Sequence, residues 1–165
     1  MIAPTAFLAA FVAMEAVSYG AHRWLMHSRR GMAWHASHHA PPAGRFERND
    51  LFPVCFSVVG IALFAIAAAG VVPGWVWWIA AGITAYGAAY LAVHELFIHR
   101  RLSVPLPRWR YLAWLRRSHA AHHADGAEPY GMLLPVMSAR RRRDVGDDPA
   151  IRLQRSRQRD TRKRL

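Results

Sequence analysis

Three stretches of this chain, residues 4–20, 51–72 and 75–93, are apolar and hold one charged residue between them, Glu15. Nothing else constrains the fold so strongly. About 20 residues of helix cover the roughly 30 Å hydrocarbon core of a bilayer. Inside it every backbone N–H and C=O must be satisfied by the chain, so such stretches fold as helices. The second and third are long enough to span. The first is just long enough, and more so if its helix runs on through His22 and Trp24. Only a break at Pro73 and Gly74 separates the second from the third, which forces an antiparallel hairpin. The expectation is an all-α integral membrane protein with three to four transmembrane helices, the fourth a partial span near residues 130–137.

The polar residues sharpen this picture. The 165 residues, enough for one domain, are 53% hydrophobic yet carry a formal net charge of +12. Mean hydropathy, at +0.02, averages over apolar and basic residues that are segregated along the chain. Five arginines lie within residues 22–50 and the others follow His94, whereas the N-terminal end and the Pro73 turn have none. Because basic loops stay on the cytoplasmic side, the N-terminus and the Pro73 turn are expected outside, with all histidines and the C-terminus inside. Trp75, Trp77 and Trp78 would then belt the outer interface. Trp109, Tyr111 and Trp114 would mark the inner one, on an amphipathic or re-entrant segment.

Residues 1–138 read as the membrane-embedded domain. Residues 139–165, with Arg140, Arg141, Arg142 and Arg143, read as a disordered cytoplasmic tail suited to anionic headgroups. Basic residues that flank apolar spans, without a base-reading module, exclude a nucleic-acid partner. The N-terminus lacks a basic leader and a cleavage site and reads as a retained span. Cys55 is the only cysteine, which rules out an internal disulfide and a Cys-based cluster; ordinary packing is expected for it.

All ten histidines fall in four boxes: His22/His27, His35/His38/His39, His94/His99 and His119/His122/His123. The order H-x4-H, then H-x2-H-H, occurs twice. Positions i, i+3 and i+4 of a helix lie within about 100° of one another, so each triplet presents three imidazoles from one face. The i, i+5 pairs are about 140° apart on an ideal helix. They can share a metal only if the helix bulges or ends there; otherwise they straddle a two-metal centre and serve one ion each. Ten imidazoles exceed what one ion takes, and two ions account for them. Imidazole suits Zn, Fe, Cu or Ni. A centre at the cytoplasmic ends of apolar helices meets lipid-soluble substrates, which favours O2 activation by a redox metal over zinc. A bis-histidine haem carrier would need histidines placed singly on facing spans. A metal transporter would place them near mid-membrane.

The stretches "MEAVSYGAHRWLMH", "WHASHHAPPAGRFERNDLF" and "RSHAAHHADGAEPYGMLLPV", in this order, resemble the bacterial β-carotene hydroxylases of the fatty acid hydroxylase/sterol desaturase superfamily. The resemblance covers residues 14–136. It implies a membrane non-haem di-iron monooxygenase that hydroxylates C3 of the β-ionone rings of β-carotene, giving β-cryptoxanthin and then zeaxanthin. It implies O2 as co-substrate, electrons from ferredoxin and its reductase, and all ten histidines as ligands of two iron ions, with zinc as a replacement in purified protein. It also implies a bacterial cytoplasmic membrane. Another carotenoid, a fatty acyl chain or a sterol is the alternative substrate, and ketolation the alternative outcome. Where relatives read H-D-G-L-V-H, this chain reads "HELFIH", with Glu95 and Leu96 in place of Asp and Gly.

Four acids are candidates for orienting imidazoles or handling protons. Glu15, seven residues before His22, shares its helix face; the alternative is a structural hydrogen bond. Asp50 orients a histidine or caps the second span. Asp125 and Glu128 follow the last box closely enough to hold an imidazole N–H. Tyr86 and Tyr90 align with His94 at helical spacing and either line a channel or pack.

Overall fold

A computed structural model describes residues 2–40, 44, 46–102 and 109–147. Helix α1 (Ile2–Gly20) runs on into a π-helical segment, Ala21–Met26. Helix α2 (Met32–His39) follows, then a 3₁₀ turn, Arg48–Asp50, that leads into α3 (Leu51–Ala68). Helix α4 (Val76–Tyr90) also ends in a π-helical segment, Leu91–Ile98. Helices α5 (Arg110–Asp125) and α6 (Ala139–Asp147) complete the described residues, which contain no strand. Three continuous helices, Ile2–Met26, Arg48–Ala68 and Val76–Ile98, are long and apolar enough to cross a membrane. No fourth span forms among the described residues. Residues 130–137 are irregular, interrupted by Gly131 and Pro135, with their backbone held by side chains.

Helix α4 lies in the middle, packed on both α1 and α3. Small residues bring α1 and α4 close, because a Cβ at Gly82 would collide with the Phe7 carbonyl and Ala80 is fully buried. This is how helices associate in lipid, where apolar burial offers no drive. Phe11 meets the Tyr86 ring edge-on at 5.8 Å, so the two helices run parallel. Phe64 meets Trp77 at 4.7 Å and Gly60 faces Thr84, so α3 runs antiparallel to α4. The end of α1, the start of α3 and the end of α4 therefore lie together.

The hairpin turn differs from the sequence reading. Gly70 (φ 70°) ends α3, with Val71 N–H bonded to Ile66 O and Gly70 N–H to Ala67 O. This is a left-handed glycine cap, so the helix stops before Pro73 and Gly74. Trp75, Trp77 and Trp78 are exposed at that end, and Trp109 and Tyr111 at the histidine end. Cys55 is exposed on α3, not packed as expected. Residues 139–147, read from sequence as part of a disordered tail, form α6; residues 148–165 lie outside the described residues.

Candidate metal centre

The π-helical segments settle the problem of the i, i+5 pairs. In a π turn the N–H of residue i+5 bonds the C=O of residue i. Here those residues are the histidines themselves: His27 N–H to His22 O at 3.2 Å, and His99 N–H to His94 O at 3.0 Å. The wider turn brings each pair onto one face, with ring centroids 5.0 Å apart for His22 and His27 and 4.6 Å for His94 and His99.

The ten imidazoles sort into two clusters. His22, His27, His35, His39 and His122 place ligand nitrogens within 4.8 Å of one another, as do His38, His99, His119 and His123. His94 joins the second group, its Nε2 3.2 Å from that of His119. Of the two options left open by the spacing, the bulge is the one found: each H-x4-H pair serves one cluster, and it is each triplet that straddles both. On a helix, i and i+4 diverge by about 40°, while i+3 lies on the other side of i. His35 and His39 therefore face the first cluster and His38 the second, whereas His119 and His123 face the second and His122 the first. Each half of the chain supplies four histidines to its own cluster and lends the middle member of its triplet to the other.

The nitrogens are set for a cation. His22 donates Nδ1–H to Tyr130 O (2.9 Å) and His35 donates Nδ1–H to Asn49 Oδ1 (2.8 Å). Neither Nε2 then carries a hydrogen, yet they face each other at 3.2 Å. Two bare lone pairs at that distance repel unless a cation lies between them. The Nε2 atoms of His27 and His122 are also 3.2 Å apart, and those of His99 and His123 lie 3.0 and 2.9 Å from His119 Nε2. Two nitrogens about 2.1 Å from one metal, at right angles, are about 3 Å apart, so the spacings fit. His38 Nε2 is buried without a hydrogen-bond partner among the described residues, which also fits a donor aimed at a metal.

Burial favours the neutral form of the eight imidazoles outside the spans, the form in which an imidazole binds a metal. It lowers His35 and His122 to about 4 and His99 and His123 to about 3, with neighbouring imidazoles adding to the effect. His27, His38, His39 and His119 move the same way, first through burial.

The four candidate acids are placed elsewhere. Glu15 touches no imidazole. Its carboxylate accepts the Tyr86 hydroxyl (2.6 Å) and the backbone N–H groups of Met132, Leu133 and Leu134 (2.8–3.1 Å), the structural alternative named above. Asp50 caps its turn by accepting Glu47 N–H at 2.9 Å, and pairs with both terminal nitrogens of Arg101. Asp125 accepts Ala127 N–H (3.0 Å) and a two-pronged Arg141. Glu128 accepts the N–H and hydroxyl of Ser138 at the start of α6.

Other groups hold the imidazoles. Glu47 Oε2 lies 3.2 Å from His38 Nδ1, and Glu95 Oε1 accepts His94 Nδ1–H at 2.7 Å and the Tyr90 hydroxyl at 2.9 Å. Ala127 O accepts His122 Nδ1–H at 2.6 Å. Arg101 joins Glu47 (3.2 Å), Asp50 (2.8 Å) and Glu95 (2.7 Å), the last without hydrogen-bond alignment. Sequence reasoning missed Glu47, Arg101 and the two carbonyls, because their chain positions carry no pattern.

Three apolar helices come together beneath a double cluster of imidazoles, an arrangement suited to a metal centre at a membrane surface. The chain belongs to the fatty acid hydroxylase family, whose model matches residues 7–139. It is 42% identical over 127 residues to a β-carotene hydroxylase of Pseudescherichia vulneris, covering 74% of this chain and 70% of that one. It is 37% identical over 123 residues to the β-carotene hydroxylase of a Paracoccus species, covering 71% and 72%. A chloroplastic β-carotene 3-hydroxylase of Arabidopsis thaliana is 37% identical over 132 residues, 76% of this chain and 43% of its own. No solved structure matches. The resemblance read from the histidine boxes is borne out, and the chain is a hydroxylating oxygenase.

Proposed function

We propose that this enzyme hydroxylates C3 of the β-ionone rings of β-carotene, giving β-cryptoxanthin and zeaxanthin, at a di-iron centre held by its ten histidines. The observation that carries the reading is the double imidazole cluster at one end of three apolar helices, in a chain 37–42% identical to bacterial β-carotene hydroxylases. Two bound iron ions would supply O2 activation toward an unactivated C–H bond, chemistry that zinc lacks. One oxygen atom goes to the ring carbon and the other leaves as water, which consumes two electrons and two protons.

The protein's part is to hold and to exclude. His22, His27, His35, His39 and His122 would hold one ion; His38, His94, His99, His119 and His123 would hold the other. Nδ1–H donation to Tyr130 O, Asn49, Glu47, Glu95 and Ala127 O fixes five rings with Nε2 turned inward. Six of the rings belong to residues on α2 and α5, whose backbones close over the ends of the spans and keep water from the centre. The exposed apolar faces of α1, α3 and α4 face lipid, from which the hydrocarbon substrate enters. Exposed Arg23, Arg29 and Arg30 lie at the histidine end. They favour a cytoplasmic placement in the bacterial inner membrane and suit an acidic electron donor of the ferredoxin type.

The test is expression in a bacterium that already makes β-carotene, followed by pigment chromatography. β-Cryptoxanthin and zeaxanthin are the expected products. Unchanged β-carotene at confirmed membrane expression would contradict the assignment.

A further inference from the structure

The two clusters contain five imidazoles each, but what stands behind those imidazoles differs. In the first, the Nδ1–H groups of His22, His35 and His122 go to uncharged oxygens: Tyr130 O, Asn49 Oδ1 and Ala127 O. The Arg23 guanidinium stands 5.7 Å from the centre of the Tyr130 ring that packs on His22, His27 and His122. In the second, His38 and His94 are backed by the carboxylates of Glu47 and Glu95. Those two carboxylates and Asp50 meet at the guanidinium of Arg101, three negative charges to its one positive charge.

We propose that the two metal positions are unequal: the carboxylate-backed position at His38, His94, His99, His119 and His123 fills first and releases its metal last. This rests on the two-metal reading above. A carboxylate that accepts an imidazole N–H makes the opposite nitrogen a stronger donor, and the loss of such a partner typically costs 10–100-fold in metal affinity. The negative charge adds direct attraction for a divalent cation, which the neutral acceptors of the first position do not. Arg101 is the positioning residue of this arrangement. It draws carboxylates from before α3, from the start of α3 and from the end of α4 onto one point, and so fixes where His38 and His94 are held.

The test uses the full chain in detergent, loaded with Zn²⁺ alone, with release to a chromogenic chelator followed in time. The wild type should release two zinc ions per chain in a fast and a slow phase. Glu95→Gln keeps an oxygen for His94 but removes the charge, and should accelerate the slow phase about 10–100-fold while the fast phase stays. Asn49→Asp adds a carboxylate behind His35 and should slow the fast phase instead. Arg101→Lys, which keeps the charge but not the planar fork, should restore less than half of the wild-type difference between phases. A single phase for both ions, or Glu95→Gln and Asn49→Asp acting on the opposite phases, overturns the inequality and leaves the two-metal reading standing. Fewer than two zinc ions bound by the wild type overturns both.

Discussion

The two imidazole clusters have the same donors and different supports. The first is braced by the loop after α5. Tyr130 O and Ala127 O orient its rings, and that loop is held by Glu15 at residues 132–134 and by Arg141 at Asp125, Ala121 O and Glu128 O. The second is braced by charge, through Glu47 and Glu95 around Arg101. The first therefore depends on a segment far away in sequence whose backbone must be kept in place. The second depends on side chains anchored at the ends of α3 and α4. The difference teaches that a repeated ligand pattern does not imply repeated surroundings.

The largest effect should come from the two crossing histidines. His122→Ala removes a nitrogen from the first cluster and His38→Ala one from the second, although their triplets lie in opposite halves of the chain. Each variant should lose hydroxylation completely and retain about one metal per chain, read by pigment analysis and metal content at matched expression. If the expected crossing is wrong, His38→Ala will disturb the first cluster and quicken the fast phase of the release assay, the phase that Asn49→Asp slows.

Acid should act on both clusters in the metal-free protein. Unfolded, the imidazoles titrate near the ordinary value of 6.5; folded, His35 and His122 titrate at about 4 and His99 and His123 at about 3. Above 6.5 the two states bind protons equally. As pH falls from 6.5 toward 4, the unfolded chain takes up more of them than the folded one, so stability is lost with falling pH. Thermal unfolding of chelator-stripped protein should move steadily down between pH 7 and 5. A flat or rising melting temperature would show that the imidazoles are not buried as described.

Glu15→Ala should be milder and one-sided. It strips a charged acceptor from three N–H groups, a loss of about 2 kcal/mol, and loosens the loop that orients His22 and His122. Metal release from the first cluster should quicken while the second is spared; equal loss from both would merge the two braces into one. Arg141→Ala should cost about 1 kcal/mol in melting, again with the first cluster affected. Arg140→Ala and Arg142→Ala, at exposed positions on α6, should change neither reading. From sequence, Arg140, Arg141, Arg142 and Arg143 belong to a disordered tail; Arg141 departs from that reading, because it reaches back to α5.

The spans and the ligands were legible because each follows from a local property. An uncharged apolar stretch has few ways to fold in lipid, and four histidine boxes have few uses. What stayed hidden depended on helix geometry and on contacts distant in sequence. Nothing in A-H-R-W-L-M announces a π turn, so the i, i+5 spacing of His22 and His27 was left open between a bulge and a straddle. Asp125 and Glu128 were chosen for nearness in sequence to His123, yet they face Arg141 and Ser138. Glu47 lies eight residues beyond His39 and still reaches His38, because the chain folds back between α2 and α3.

Metal analysis of the purified full chain, with optical and Mössbauer spectra, tests the central claim most directly. The account predicts two iron ions per chain in active protein, no haem Soret band and no acid-labile sulfide. One haem per chain, or full activity with a single metal ion, would contradict it.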